Sequence, residues 1–408
     1  MFSRISAKLH GAPNALYELR DSLKDQGHII HDFISGNLTD HGFTFPQSIL
    51  EEILLRAARR CQVYRPDSFG QPSARAAVSQ YYQESGLDIK ADAILLTPGT
   101  SLSYWYCFRL LADEGDEILC PCPSYPLFDY IALLSGVKLA YYRHDEKRNW
   151  NIDIEQLEAQ ISTKTRALIL ISPHNPTGHV ASKAEIKALA DVARRHQISI
   201  ISDEVFSEFL LEPVALPRAV ESSAPLIFTL NGFSKMFGLP GVKFGWMAVS
   251  GDSDKVAYAL RALELISDTF LPVNEIIQAA APEIFSYGRA LRTEFARRLR
   301  RCWECIEAIL SSSPYFTYVK PQGGFYVTLH LADGIDEELA ARAILEHKHL
   351  LVHPGYFYDM EPDHLVMSFI QDPDKTRALL PGLVSTLAEI AHCGTSQSDP
   401  HRNLNGSS

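Results

Sequence analysis

Several side chains stand where apolar runs of the chain stop, and each offers a different chemistry. Lys235 lies in Asn231-Gly-Phe-Ser-Lys-Met-Phe-Gly238, just past the apolar run 225–230. An amine held at a strand end among apolar and small residues is partly desolvated. Its pKa falls, and it becomes a nucleophile able to bind an aldehyde. Asp203 follows the apolar run 198–202, and a carboxylate buried there must meet a cation or several donors. Asn175, in His174-Asn-Pro-Thr-Gly178, offers an amide donor. Gly99-Thr100-Ser101 sits between a strand and a helix, where free backbone N–H groups and a hydroxyl make a phosphate cradle. Ser234 and Lys243 would add a hydroxyl and a cation to it, and Tyr125, set among prolines, offers a flat face.

Each residue taken alone has a plain structural alternative. A lysine can sit in a solvated loop, Thr or Ser can cap a helix, and a buried aspartate can serve an ion pair or a cap. Asn175 can be a turn residue and Tyr125 a packing residue. Together they describe one ligand. It has a phosphate, a flat ring, a ring nitrogen held positive by Asp203, a ring oxygen facing Asn175 and an aldehyde for Lys235. That ligand is pyridoxal 5'-phosphate. The chain has neither a G-x-x-x-x-G-K-[ST] loop nor a dinucleotide fingerprint, so ATP and NAD are not indicated. Cys120 and Cys122, and Cys302 and Cys305, lack a second Cys or His pair at zinc spacing, so no metal is expected.

These residues need a scaffold that collects strand ends on one side. From residue 94 onward, apolar runs alternate with helical patterns, with runs at 94–97, 117–120, 167–172, 198–202 and 226–230 and a further run at 244–249. This is the pattern of βαβ units and a mostly parallel sheet with helices on both faces, an α/β large domain. Polar residues gather just past the strands' C-terminal ends, the edge where open α/β sheets bind ligands. Upstream, the pattern predicts an amphipathic helix at 15–26, an extended segment at 29–45, and helices at 46–61 and 73–85 around the irregular loop 63–70. Downstream it predicts a helix at 252–265, a break at 267–274, a helix from 275 and a long helix at 288–310. A smaller α+β domain follows, with strands at 316–319 and 365–370. The domain boundaries are expected at 1–45, 46–284 and 285–392, with a disordered tail at 393–408.

The chain has 408 residues and a net charge of -11, which argues against nucleic acid and against anionic membrane surfaces as partners. No apolar run is long enough to span a bilayer. Residues 1–14 lack the apolar core of a secretory signal, and the seven cysteines are scattered, so the cytoplasm is the expected compartment.

From about residue 14 to 387 the sequence resembles the class I/II aminotransferase family of fold-type I pyridoxal-phosphate enzymes. The resemblance is carried by Thr97-Pro-Gly-Thr-Ser101, Tyr125-Pro-Leu-Phe128, Asn175-Pro-Thr-Gly178, Asp203-Glu-Val205, and Ser234-Lys235 with Gly238-Leu-Pro-Gly-Val-Lys243. It implies ping-pong transfer of an amino group between an amino acid and a 2-oxo acid, with Lys235 and Asp203 catalytic. It implies that Gly99, Thr100, Ser101, Ser234 and Lys243 hold the phosphate, Tyr125 stacks and Asn175 meets the ring oxygen. It also implies a homodimer in which Tyr64 reaches the phosphate of the other subunit, and a backbone contact from Gly36 to substrate. Three positions depart from the family. Lys243 and Val366 stand where arginines are usual, and Phe206 stands where a tyrosine is usual. Val366 leaves the substrate carboxylate without its usual clamp. Arg65 is the first alternative cation and His353 the second; otherwise the substrate is an amine. A lyase, a decarboxylase or a cyclising enzyme would use the same cofactor residues. A regulator with a silent domain would need a DNA-binding module, and residues 1–45 are too short for one.

Overall fold

The computed structural model describes residues 2–9 and 14–396. They fall into two units. The larger takes 2–9, Asn37–Arg298 and Pro321–Gly324. Its sheet has eight strands: β1 (Ile94–Thr97), β2 (Glu117–Cys122), β3 (Lys138–Asp145), β4 (Asn151–Ile152), β5 (Thr165–Ile171), β6 (Ser199–Asp203), β7 (Leu226–Gly232) and β8 (Gly245–Gly251). Their order is β1-β8-β7-β6-β5-β2-β3-β4. The central pairs β7/β6, β6/β5, β5/β2 and β2/β3 are parallel, and β1/β8, β8/β7 and β3/β4 are antiparallel.

Strands β5, β6 and β7 read as near-continuous apolar runs because both their faces are covered. Leu168, Ile200 and Ile227 pack with Leu189 and Val192 of the helix Lys183–His196. On alternate residues, Ile169, Ile201 and Phe228 pack with Phe108 of the helix Thr100–Leu111 and Leu263 of the helix Ser253–Phe270. Truncating one of these fully buried side chains to alanine costs about 2–5 kcal/mol. The helix Lys183–His196 starts with a capping box, Ser182 with Glu185, which satisfies two otherwise orphaned N–H donors.

The smaller unit takes 14–36, Leu299–Lys320 and 325–396. Its strands are β9 (Phe316–Thr317), β10 (Tyr326–Leu331), β11 (His353–Pro354) and β12 (His364–Ser368). They form an antiparallel sheet in the order β9-β10-β12-β11. A short parallel pair joins His31–Asp32 to Leu350–Leu351.

Several elements differ from the sequence expectation. The extended segment 29–45 contains only that two-residue strand and a 3-10 turn, Leu38–His41. The helix expected to end at 265 runs Ser253–Phe270. The two helices expected from 275 and 288 are one helix of 36 residues, Glu275–Leu310, with Pro282 inside it. Lys138–Asp145 is a strand that the pattern did not signal. The helix Pro373–Ser396 enters the expected tail, and residues 397–408 lie outside the described residues. Among the described residues no helix is long and apolar enough to cross a membrane.

Candidate active site

Strand order brings the sequence-selected residues to one edge. Asp203 ends β6, and Asn175 and Lys235 follow β5 and β7; the three strands are parallel neighbours in register, with Ile171 opposite Asp203 and Asp203 opposite Leu230. β8 is antiparallel to β7, so Lys243, just before β8, lies at the same edge. β1 pairs with β8 through Thr97 and Gly245, which brings Gly99 there too. Tyr125 follows β2, the neighbour of β5.

Lys235 lies on the short helical turn Phe233–Met236. Phe233 locks this turn by stacking on Phe244 at 4.3 Å and meeting Phe237 and Phe285 edge-on at 5.0 and 5.1 Å. Gly232 lets the strands close, because a Cβ there would lie 2.9 Å from the Phe244 carbonyl oxygen. Lys235 is half-buried, and burial pushes its amine down to about 8.

Asp203 is 7% exposed. Its Oδ2 accepts from the Tyr104 hydroxyl at 2.7 Å and its Oδ1 from the Val205 N–H at 2.9 Å. Burial pushes the carboxyl up to about 6, against the lowering effect of those two bonds. Tyr125 meets Phe128 edge-on at 5.9 Å. Burial raises its phenol, and the Asp203 charge raises it further.

Asn175 is buried in a tight turn. The His174 N–H donates to the His179 carbonyl at 2.7 Å, and the Gly178 N–H donates to the His174 carbonyl at 2.8 Å. His174 Nδ1 meets the Thr177 hydroxyl at 2.9 Å, and its ring stacks on His144 at 4.2 Å. Burial holds both rings neutral, with His144 pushed down to about 3. His179 Nε2 anchors the turn to Glu185 at 3.0 Å. Within this rigid frame Asn175 Oδ1 is buried and has no partner among the described residues.

Gly99 has φ +132°, and the space where its Cβ would stand is open. Behind it, a Cβ on Gly245 would lie 3.0 Å from the Gly99 Cα, so the cradle's floor is two glycine backbones in close approach. The helix Thr100–Leu111 starts here, with its first N–H groups lacking helical partners. Thr100 and Ser234 are half-buried, and Ser101 and Lys243 are exposed. Phe206 is 5% exposed.

The remaining expected site residues are Tyr64, for the phosphate of a second subunit, and Arg65, Gly36 and Val366, for substrate. Tyr64 is 68% exposed and Arg65 is exposed, both on the loop before the helix Pro72–Glu84. The Arg65 N–H donates to Glu275 Oε1 at 3.0 Å, while its guanidinium has no ion-pair partner among the described residues. It lines a groove of about 340 Å³ with Arg60, Val63 and Glu275. Gly36 and Val366 belong to the smaller unit. Val366 is completely buried, opposite Thr328 on β10 and His353 on β11. His353 has both ring nitrogens engaged, Nε2 with the Tyr17 hydroxyl at 2.8 Å and Nδ1 with the Tyr358 hydroxyl at 3.4 Å. Burial pushes it down to about 4, so it offers no cation at neutral pH.

Sequence reasoning missed Tyr104 and the buried histidine frame. The signal for Tyr104 was its spacing: four residues after Thr100, it stands one turn beyond the cradle on the same helix face.

The large mixed sheet with helices on both faces, together with the smaller antiparallel sheet of the second unit, is the fold-type I architecture. Residues 30–379 match the family model for aminotransferase class I and II. The chain is 31% identical over 357 residues to the glutamate-pyruvate aminotransferase AlaA of Haemophilus influenzae, covering 84% of this chain and 86% of that one. It is 31% identical over 378 residues to the alanine aminotransferase of Mycobacterium tuberculosis, covering 88% and 87%. Among solved structures, an Escherichia coli aminotransferase superposes with TM-score 0.82 at 27% identity, over 92% of this chain and 95% of that one. The alanine aminotransferase of Pyrococcus furiosus gives 0.87 at 23% identity, over 95% and 100%, which bears on the fold alone. The chain belongs to the class I and II aminotransferase family, and it is an aminotransferase.

Proposed function

We propose that the enzyme transfers the amino group of a small amino acid to a 2-oxo acid with pyridoxal 5'-phosphate as carrier. The observation that carries this reading is the Lys235 amine, lowered by burial to about 8, one strand away from the buried carboxylate of Asp203. The donor set fits the cofactor. Asn175 has a buried Oδ1 without a partner among the described residues and an amide N–H able to donate to a ring oxygen, and no cation lowers the Asp203 carboxyl. The open space before Gly99 suits a phosphate at a helix N-terminus.

When bound, the cofactor would supply an aldehyde for the amino group and a ring that withdraws electrons from the substrate's α-carbon. Gly99, Thr100, Ser101, Ser234 and Lys243 hold its phosphate, and Tyr125 covers one ring face. Asn175 donates to the ring oxygen, and Asp203 keeps the ring nitrogen protonated. Lys235 Nζ would take the proton from the substrate's α-carbon and hand it to the carbon that bears the cofactor's aldehyde. A pKa near 8 leaves workable fractions of both amine forms near neutral pH.

Tyr64 would serve the site of a second copy. The exposed apolar side chains of Val63, Tyr64, Tyr258, Leu265 and Phe270 support a homodimer. Arg65 would bind the substrate carboxylate in place of the arginine missing at Val366, and Gly36 would offer its backbone. The names of the alanine and glutamate-pyruvate relatives support small amino acids as donors. The cytoplasm is the proposed compartment.

The test is stoichiometry. Cofactor-loaded enzyme given alanine or glutamate without an acceptor should release one equivalent of oxo acid per site and then stop. Continuous release of oxo acid with ammonia would make it a lyase, and reaction with short amines alone would change the substrate class.

A further inference from the structure

We infer that Tyr104 is a positioning residue for Asp203: its hydroxyl fixes the carboxylate's orientation and keeps it ionised to face the cofactor's ring nitrogen. This rests on the proposed role of Asp203. The two oxygens of Asp203 are tied by different elements. Tyr104, on the helix Thr100–Leu111, donates to Oδ2 at 2.7 Å, and the Val205 N–H, just past β6, donates to Oδ1 at 2.9 Å. The carboxylate cannot rotate without breaking one of these bonds, and each oxygen keeps a lone pair for a ligand.

The hydroxyl is itself fixed by packing. The Tyr104 ring meets Phe128 edge-on at 4.9 Å and Phe108 at 6.2 Å, and Phe128 also meets Tyr125 edge-on at 5.9 Å. One aromatic side chain therefore braces both the residue that would cover the ring face and the residue that steers Asp203.

Charge makes the hydroxyl necessary. The groups facing Asp203 and Tyr104 are the phenol of Tyr125, the carboxylate of Glu204 and the thiols of Cys107 and Cys120. None of these is a cation, and Glu204 already has its own, Arg218, in a buried ion pair. Only the Tyr104 and Val205 donors oppose the burial that pushes Asp203 up to about 6. Burial raises the Tyr104 phenol well above its ordinary value, and the Asp203 charge raises it further. Tyr104 therefore remains the donor throughout the working pH range.

Tyr104→Phe keeps the ring and its edge contacts and removes only the hydroxyl. In cofactor-free protein, carboxyl carbon NMR on labelled aspartate should show the Asp203 titration moving up by about one unit. Affinity for pyridoxal 5'-phosphate at pH 7.5 should fall about tenfold, with the melting temperature little changed. The acid limb of turnover should move up with the Asp203 titration. Difluorotyrosine at the same position, a stronger donor, should move the titration the other way. In an Asp203→Asn background, Tyr104→Phe should change cofactor affinity by less than about twofold, because the partner it acts through has lost its charge. An unmoved Asp203 titration and unchanged affinity in Tyr104→Phe, while Asp203→Asn alone loses turnover, would overturn the inference and leave Tyr104 a packing residue. If Asp203→Asn keeps full turnover and affinity, the failure lies with the role given to Asp203. The carboxyl titration alone then decides whether Tyr104 sets its charge.

Discussion

The two sheets of this chain bury titratable groups with opposite results. At the edge of the large sheet, burial takes Lys235 down to about 8 and Asp203 up to about 6, so both change charge close to neutral pH. In the small sheet, burial takes His353 down to about 4, and two tyrosine hydroxyls occupy its ring nitrogens. Burial by itself does not make a group reactive. Asp203 has donors on each oxygen but capacity left for a ligand, whereas His353 is fully committed. Across from His353 stands Val366, apolar and completely buried. The nearby hydroxyls, Thr328 Oγ1 and Ser368 Oγ, are buried without partners among the described residues. Around Val366 the small sheet holds buried hydroxyls and apolar side chains and a neutral His353.

The largest expected effect tests the reactive side of that contrast. Asp203→Asn should lose turnover by about 10²–10³-fold while still binding cofactor, because a preorganised charge facing the ring is gone. Turnover within a few-fold of wild type would make Asp203 structural. The same variant carries a stability prediction of opposite sign. Asp203 is raised from 3.8 to about 6 on folding. The folded state therefore holds this proton more tightly, and that advantage is lost as pH rises through the window from 3.8 to 6. Cofactor-free Asp203→Asn should be more stable than wild type by about 3 kcal/mol at pH 7.5, and the gain should vanish toward pH 4. Urea titrations at the two pH values measure it, and a pH-independent difference would contradict the assigned shift.

The silent side is tested next. Val366→Arg places a charge at a fully buried position opposite Thr328 and a neutral His353, and should cost about 3 kcal/mol or more in stability. A stable variant with a lower KM for amino acids would instead reveal a substrate subsite there. A smaller effect is expected at Arg65. If its unpaired guanidinium takes over the carboxylate, Arg65→Ala should raise KM for alanine or glutamate about tenfold with little change in kcat. An unchanged KM would favour substrates without a carboxylate.

The residues of the candidate site were legible as a group because strand ends announce themselves: continuous apolar runs stop at or just before Asp203, Asn175 and a Gly-flanked Lys235. Elements whose pattern is mixed were less legible. Lys138–Asp145 is half-exposed and rich in Tyr, Arg and His, so no alternation marks it as a strand. The pattern separates a helix from 275 and a helix at 288–310, yet one helix, Glu275–Leu310, runs through Pro282 and Gly288. Gly288 is there for space, since a Cβ would run into the Phe237 ring. The bond from Tyr104 to Asp203 spans 99 residues of sequence, and only the folded sheet brings the two together.

The central claim is that the burial-lowered amine of Lys235 carries the cofactor. Borohydride reduction of the enzyme loaded with pyridoxal 5'-phosphate, followed by proteolysis and mass mapping, tests it directly. The pyridoxyl label should fall on the peptide containing Lys235 and be absent from Lys235→Ala protein reduced in the same way. A label on Lys243, or one that persists in Lys235→Ala at wild-type stoichiometry, would contradict it.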